Sequence, residues 1–100
     1  MTLYTISDIR NIVAPIAQQH GVKSISLFGS YSKGNADENS DIDLKIEKEA
    51  LRSLIQICSF RLAIEDALSI PVDIITTESS DKEFLNAIRK DEVLLYRNAE

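Results

Sequence analysis

Three aspartates and one small-residue turn carry the chemistry this sequence can offer. The turn runs Gly29-Ser30-Tyr31-Ser32-Lys33-Gly34 and follows an apolar run that ends at Phe28. Asp41 and Asp43 come next, in the alternating stretch Asp41-Ile42-Asp43-Leu44, and Asp73 stands in the apolar stretch Val72-Asp73-Ile74-Ile75. Gly29 lets the backbone leave a strand without Cβ interference, and Gly34 allows a second close approach or a positive φ. Ser30 adds a hydroxyl and Lys33 a point charge. The backbone N–H groups after Gly29 can open a helical turn, an arrangement that attracts phosphate oxygens.

Taken singly, these features are ordinary, because Gly-Ser turns join strands to helices without any ligand and a lone strand aspartate is usually solvated. Their combination is more specific. Two residues apart on a strand, Asp41 and Asp43 place both carboxylates on one face, about 6–7 Å apart along the chain. Like charges on a half-buried strand repel unless a cation lies between them. Mg²⁺ takes hard oxygen ligands, commonly one or two carboxylates plus substrate phosphates. With Asp73 added, three acids converging on one sheet surface fit a two-metal phosphoryl-transfer site, the metals roughly 3.5–4 Å apart. Two other motifs fail on their own residues. Gly29 and Gly34 have P-loop spacing, but Asn35-Ala36 stands where Lys-Ser/Thr is required. Asp37, Asn39 and Asp41 imitate the start of an EF-hand loop, but Ile42 replaces its glycine and Lys48 its final Glu.

The elements that must position these residues follow from periodicity. Ile9, Ile12, Val13, Ile16 and Ala17 keep helical spacing, with Ser7 as the expected N-cap, Asp8 suited to the helix dipole and Gly21 as the C-cap. Pro15 lies inside that helix and is expected to kink it, because it removes one backbone donor. His20 is expected to donate to a terminal carbonyl rather than to act in catalysis, since no second His is present. Val22–Phe28 reads as a strand feeding Gly29, and Asp41–Ile46 as a second strand with Ile42, Leu44 and Ile46 on one face. Leu51–Leu68 reads as the longest helix, with Leu51, Leu54, Ile55, Cys58, Leu62 and Leu68 as its core stripe. Ile57, Phe60 and Ile64 widen the stripe beyond the usual arc of about 100°. Either the helix is wedged into the core or the extra arc meets a partner chain. Val72–Ile75 is a third strand. A helix from about Asp81 to Lys90 follows, capped by Ser79 or Ser80, with Phe84, Leu85 and Ile88 as its apolar face. Val93–Tyr96 is a last short strand or an apolar tail. The alternation of elements predicts a compact α/β (α+β) domain.

Bulk properties agree with that size and class. One hundred residues, 44% hydrophobic and 27% charged, suit a single globular domain spanning 1–100. The net charge is −5 and there is no Lys/Arg run, so nucleic acid is a poor first partner, although an acidic total can hide a small basic cleft. Cys58 is the only cysteine, which excludes a disulfide framework and suggests a buried small hydrophobe. Neither a signal sequence nor a membrane-length apolar run is visible, and the expected location is the cytoplasm.

Leu27-Phe28-Gly29-Ser30, the spacer, Ser40-Asp41-Ile42-Asp43-Leu44 and Val72-Asp73 together resemble the signature of the DNA-polymerase-β-like nucleotidyltransferases, most closely their minimal nucleotidyltransferase (MNT) group. The first helix with its Pro15 and the ending Glu92-Val93-Leu94-Leu95-Tyr96 also look typical, so the resemblance covers nearly the whole chain. Lys33 stands where this group often has Arg, keeping the charge and losing the bidentate fork. The resemblance implies a small mixed sheet flanked by helices and transfer of a nucleoside monophosphate from a nucleoside triphosphate. It implies that Gly29 and Ser30, with Lys33 nearby, hold the phosphates of ATP. Asp41 and Asp43 would bind two Mg²⁺ ions, and Asp73 the one nearest the acceptor hydroxyl. Minimal members resemble antitoxins paired with a HEPN-type RNase toxin, which implies AMP transfer to a tyrosine of that toxin. Two alternatives stay open: neutralisation of the partner by contact alone, and transfer to a small-molecule hydroxyl such as that of an aminoglycoside.

Overall fold

In a computed structural model, residues 4–37, 39–47, 53–77 and 81–98 are described. The elements run α1 (Ile6–His20), β1 (Ser24–Phe28), α2 (Ser30–Lys33), β2 (Ile42–Glu47), α3 (Leu54–Leu68), β3 (Val72–Thr76), α4 (Lys82–Ile88) and β4 (Val93–Arg97). The four strands form one mixed sheet in the order β3-β2-β1-β4. β1 is antiparallel to both β2 and β4, while β2 and β3 are parallel and joined through α3. A parallel pair needs such a long crossover, because a tight turn can join only antiparallel strands. The chain ending therefore pairs as a true strand, at the edge beside β1.

One face of the sheet is the core. Ile42, Leu44 and Ile46 of β2 are fully buried, and Asp43, Lys45 and Glu47 alternate onto the other face, as the period of two requires. Ile25 and Leu27 of β1 join the buried side, against Ile9, Val13 and Ala17 of α1 and Phe60, Ile64 and Leu68 of α3. α1 packs on α3 and on β4. No helix among the described residues is long and apolar enough to cross a membrane.

The start of α1 differs from expectation. Thr5, not Ser7, is the N-cap: its hydroxyl accepts the Asp8 N–H (3.0 Å) and the Asp8 carboxylate accepts the Thr5 N–H (3.1 Å). This reciprocal capping box satisfies two otherwise orphaned donors, and Ser7 has no equivalent partner three residues on. Gly21 closes the helix in the left-handed region at φ 72°, as its type suggests. Pro15 is accommodated within α1 at an exposed position.

The long helix turns the other way from the expected one. Phe60, Ile64 and Leu68 are buried, whereas Ile55 (81% exposed), Cys58 and Leu62 (49%) face outward. Among the described side chains the expected stripe and its extension are thus exchanged, Leu68 alone of the stripe being buried, and Cys58 is exposed rather than buried. A helix that is apolar nearly all round has no periodicity to select its buried face. The choice is made by tertiary fit: Phe60 fills the gap between α1 and α3, with the His20 ring edge-on at 5.3 Å. Leu51 lies outside the described residues, as do Ser79 and Ser80. Ser53 caps α3, exchanging hydrogen bonds with Gln56. α4 is shorter than expected, begins at an Asp81 cap and buries none of its residues.

Candidate active site

Gly29 begins the site because of what its backbone does. It sits at φ 78°, ψ −153°, a region that is essentially glycine-only. A Cβ there would overlap Oδ2 of Asp43 and lie 3.2 Å from its Cγ. The missing side chain is therefore the space that the Asp43 carboxylate occupies. Register explains the approach, since Phe28 at the end of β1 is the cross-strand partner of Asp43. From Gly29 the chain enters α2, whose first residue is Ser30. The Ser32 hydroxyl donates to the Gly29 carbonyl (2.9 Å), and the Lys33 N–H donates to the same carbonyl (3.1 Å). Gly34 ends the turn in the left-handed region at φ 78°. Tyr31 is buried beneath it, and burial, helped by Tyr4 and Asp37, pushes its hydroxyl pKa up.

Asp41 lies just ahead of β2 and is exposed, so only Asp43 of this pair is within the strand proper. The approach to Asp41 is fixed by a turn: the Ser40 N–H donates to the Asp37 carbonyl (3.0 Å) and the Asp37 N–H donates to Ser40 Oγ (2.9 Å). Asp73 reaches the site through the parallel pairing, in which Asp43 and Asp73 are direct partners. Two bonds hold the start of β3 in place. The Val72 N–H donates to the Glu65 carboxylate (2.8 Å), which also pairs with Arg61 (3.0 Å), and the Ile42 N–H donates to the Pro71 carbonyl (3.0 Å). Glu65 on α3 thus positions the strand that carries Asp73.

The electrostatics follow from this arrangement. The pKa of Asp43 is raised from its ordinary 3.8, first by burial and then by the charges of Asp73 and Asp41. Asp43 is the half-buried centre of three acids, with Asp41 and Asp73 exposed on either side. As they stand, no three acids among the described residues are drawn together tightly enough to form a ready-made metal cage. The donor set nevertheless suits a hard divalent cation: it is all carboxylate oxygen, and its mutual repulsion is the kind that a cation relieves. Lys33 is exposed at the far end of α2, with no ion pair to these acids among the described residues.

Three features beside the acids escaped the sequence. Phe84 of α4 stands edge-on to Phe28 at 6.0 Å, next to the Asp43 pair, and is itself 43% exposed. Lys45 bonds Glu92 (2.6 Å), tying β2 to the segment before β4. Glu65 acts as the clasp described above. Only Lys45 left a signal, because alternation along β2 puts it on the same face as Asp43.

Comparison with known proteins agrees with this geometry. Residues 10–100 match the family described as polymerase beta, nucleotidyltransferase. A protein of Methanocaldococcus jannaschii, provisionally named a protein adenylyltransferase, is 34% identical over 89 residues, which cover 89% of this chain and 90% of that relative. The protein adenylyltransferase MntA of Thermococcus cleftensis is 30% identical over 83 residues, covering 79% of this chain and 84% of that one. Among the solved structures that share the fold are two toxin–antitoxin assemblies. One is a toxin–antitoxin with AMP-PNP, TM-score 0.78 and 23% identical, covering 90% of this chain and 74% of that one. The other is a tri-AMPylated Shewanella oneidensis HEPN toxin in complex with MNT antitoxin, TM-score 0.73 and 19% identical, covering 94% and 74%. A glycine turn against an acid pair, a third acid brought in by a parallel strand, and a match across residues 10–100 lead to one conclusion: the chain belongs to the polymerase beta nucleotidyltransferase family.

Proposed function

We propose that residues 1–100 act as one nucleotidyltransferase domain that moves AMP from ATP to a hydroxyl, that of a tyrosine on a cognate HEPN-type RNase toxin, and so serve as an antitoxin. The observation that carries this reading is the register pairing of Asp43 with Asp73 directly beside the glycine turn. The names of the relatives and the toxin–antitoxin assemblies that share the fold support it.

Asp41, Asp43 and Asp73 are the residues that would hold two Mg²⁺ ions. Bound there, the ions would supply neutralisation of charge on the phosphate oxygens and activation of the acceptor hydroxyl. Gly29, Ser30 and Lys33 would take the phosphates of ATP. Gly29 gives up its side chain so that an acid and a phosphate can share one small space, and the Ser30 hydroxyl offers a donor at the start of α2. The acceptor oxygen forms its bond to the α-phosphorus, the α–β phosphoanhydride bond breaks, and pyrophosphate leaves with the electron pair. The acceptor's proton is given up beside Asp73. Holding the two reactants together in line can contribute several kcal/mol of the barrier reduction. The chain would work in the cytoplasm, where ATP and Mg²⁺ are supplied.

The test uses ATP labelled at either the α- or the γ-phosphate, with Mg²⁺ and the candidate partner. Label transferred from the α position alone is expected, and transfer from the γ position alone would replace this reading with a kinase. A second reading, neutralisation by contact, is favoured by the exposed apolar residues Ile55, Cys58 and Leu62 on α3. Asp43→Asn separates the two readings: if it abolishes labelling yet still neutralises the partner, contact suffices.

A further inference from the structure

The open face of the sheet continues past the acids. Asp43, Lys45 and Glu47 point the same way along β2, with Ser26 and Ser24 of β1 opposite Lys45 and Glu47. Two cavities of about 290 and 450 Å³ share Lys45, Arg89 and Glu92, so they form one groove between the sheet and α4. Its cations are Lys45, Lys82, Arg89 and Arg97. Both of its carboxylates are already engaged: Glu92 pairs with Lys45 (2.6 Å), and Glu47 accepts the Ser24 hydroxyl (2.7 Å). Lys82, Arg89 and Arg97 have no ion-pair partner among the described residues. A chain of net charge −5 thus concentrates positive charge, unpaired among the described residues, in a groove that starts one side-chain repeat from Asp43.

We propose that this groove receives the acceptor polypeptide and binds an acidic segment next to the hydroxyl that takes the nucleotide. The proposal rests on the adenylyl-transfer reading above and names the chemistry by which that site would select its acceptor. Lys45 lies about 6–7 Å from Asp43 along the strand, the span of two residues of an extended peptide. A hydroxyl held at Asp43 and Asp73 therefore leaves its neighbouring residues over the cations. Arg89 and Arg97 present planar forks suited to carboxylates. The lining favours peptide over nucleic acid, because Glu47, Glu92, Leu85 and Leu94 interrupt the positive surface where a phosphate backbone would meet carboxylate or hydrocarbon.

The test uses the full chain and three fluorescein-labelled peptides with one central tyrosine, flanked by Asp/Glu, by Gly/Ser or by Lys. Binding is read by fluorescence anisotropy at low salt, and AMP transfer from α-labelled ATP is followed in parallel. The acidic peptide is expected to bind at least about tenfold more tightly than the neutral one. Arg89→Glu with Arg97→Glu should remove that preference and improve the lysine peptide, whereas Gln18→Glu with Gln19→Glu, at exposed positions of α1 outside the groove, should not. Arg89→Gln with Arg97→Gln serves if the charge reversal unfolds the chain. Asp43→Asn should stop transfer and keep the binding, so loss of the adenylyl reading and loss of the groove are told apart. The proposal is overturned if acidic and neutral peptides bind within about twofold of each other, or if the groove variants keep the acidic preference. It is also overturned, in favour of nucleic acid, if a single-stranded oligouridylate binds more tightly than the acidic peptide and loses that binding in the groove variants.

Discussion

Asp73→Asn is expected to make the metal-free protein more stable. Asp43 and Asp73 are register partners on neighbouring strands, so their carboxylates lie about 5–7 Å apart, given the inter-strand spacing. At 6 Å the repulsion is about 0.7 kcal/mol in water and about 2.8 kcal/mol at an effective dielectric of about 20. Asp73 is exposed and Asp43 only half-buried, so solvent screening holds the value to about 0.5–1 kcal/mol. For a chain of this length that corresponds to a rise in Tm of about 2–8 °C. The measurement is a thermal melt in EDTA at low ionic strength and pH 7. An acid whose pKa is raised on folding costs nothing below its unfolded value, and its penalty grows as pH rises through the raised one. The advantage of the variant should therefore be small near the ordinary 3.8 and full only above the raised pKa of Asp43. Saturating Mg²⁺ should stabilise the parent more than the variant and close the gap, since the stabilisation by a ligand of the folded state grows with the logarithm of its affinity. A variant no more stable than the parent in EDTA at pH 7 would refute the reasoning, as would a gap of equal size at pH 4.

Gly29→Ala should cost about 1–3 kcal/mol through its backbone conformation and its overlap with Asp43, and should reduce AMP transfer by at least about 100-fold. Gly34→Ala, where a Cβ meets nothing within 4 Å, should lose only about 1 kcal/mol and keep most transfer; equal losses at both positions in paired melts and labelling assays would contradict this. Phe60→Ala should cost about 3–5 kcal/mol in urea unfolding, and Ile55→Ala no more than about 0.5 kcal/mol. Comparable costs would mean that the buried face of α3 is wrongly assigned.

Legibility varied with the kind of signal. β2 could be read almost residue by residue, because Ile42, Leu44 and Ile46 alternate with polar neighbours and one face is wholly buried. The parts of the candidate site could be picked out through local spacing: the glycine turn and Asp41-Ile42-Asp43 are each contained within a few residues. Asp73 stood out because it interrupts an apolar strand, and the structure places it exposed on the open face. The face of α3 was not legible, since both sides are apolar and only contact with α1 and the sheet selects Phe60 over Ile55. Cys58 followed that error to the wrong side. The cap of α1 was assigned to Ser7 and missed, although Thr5 and Asp8 carry the three-residue spacing of a capping box. Lys45–Glu92 and Phe28–Phe84 depend on how α4 and β4 return to the sheet, which no local pattern encodes.

The parallel pairing of β2 with β3 also sets an order of events as the chain folds. β1 and β2 are close in sequence and antiparallel, so they can pair early, carrying the glycine turn, Asp41 and Asp43 with them. Asp73 arrives only after α3 has formed and docked, and closing that longer loop is the slower step. A partly folded chain would then hold two acids of the candidate site without the third. Recovery of activity after dilution from denaturant would lag recovery of sheet signal, and the lag would time the docking of the crossover helix.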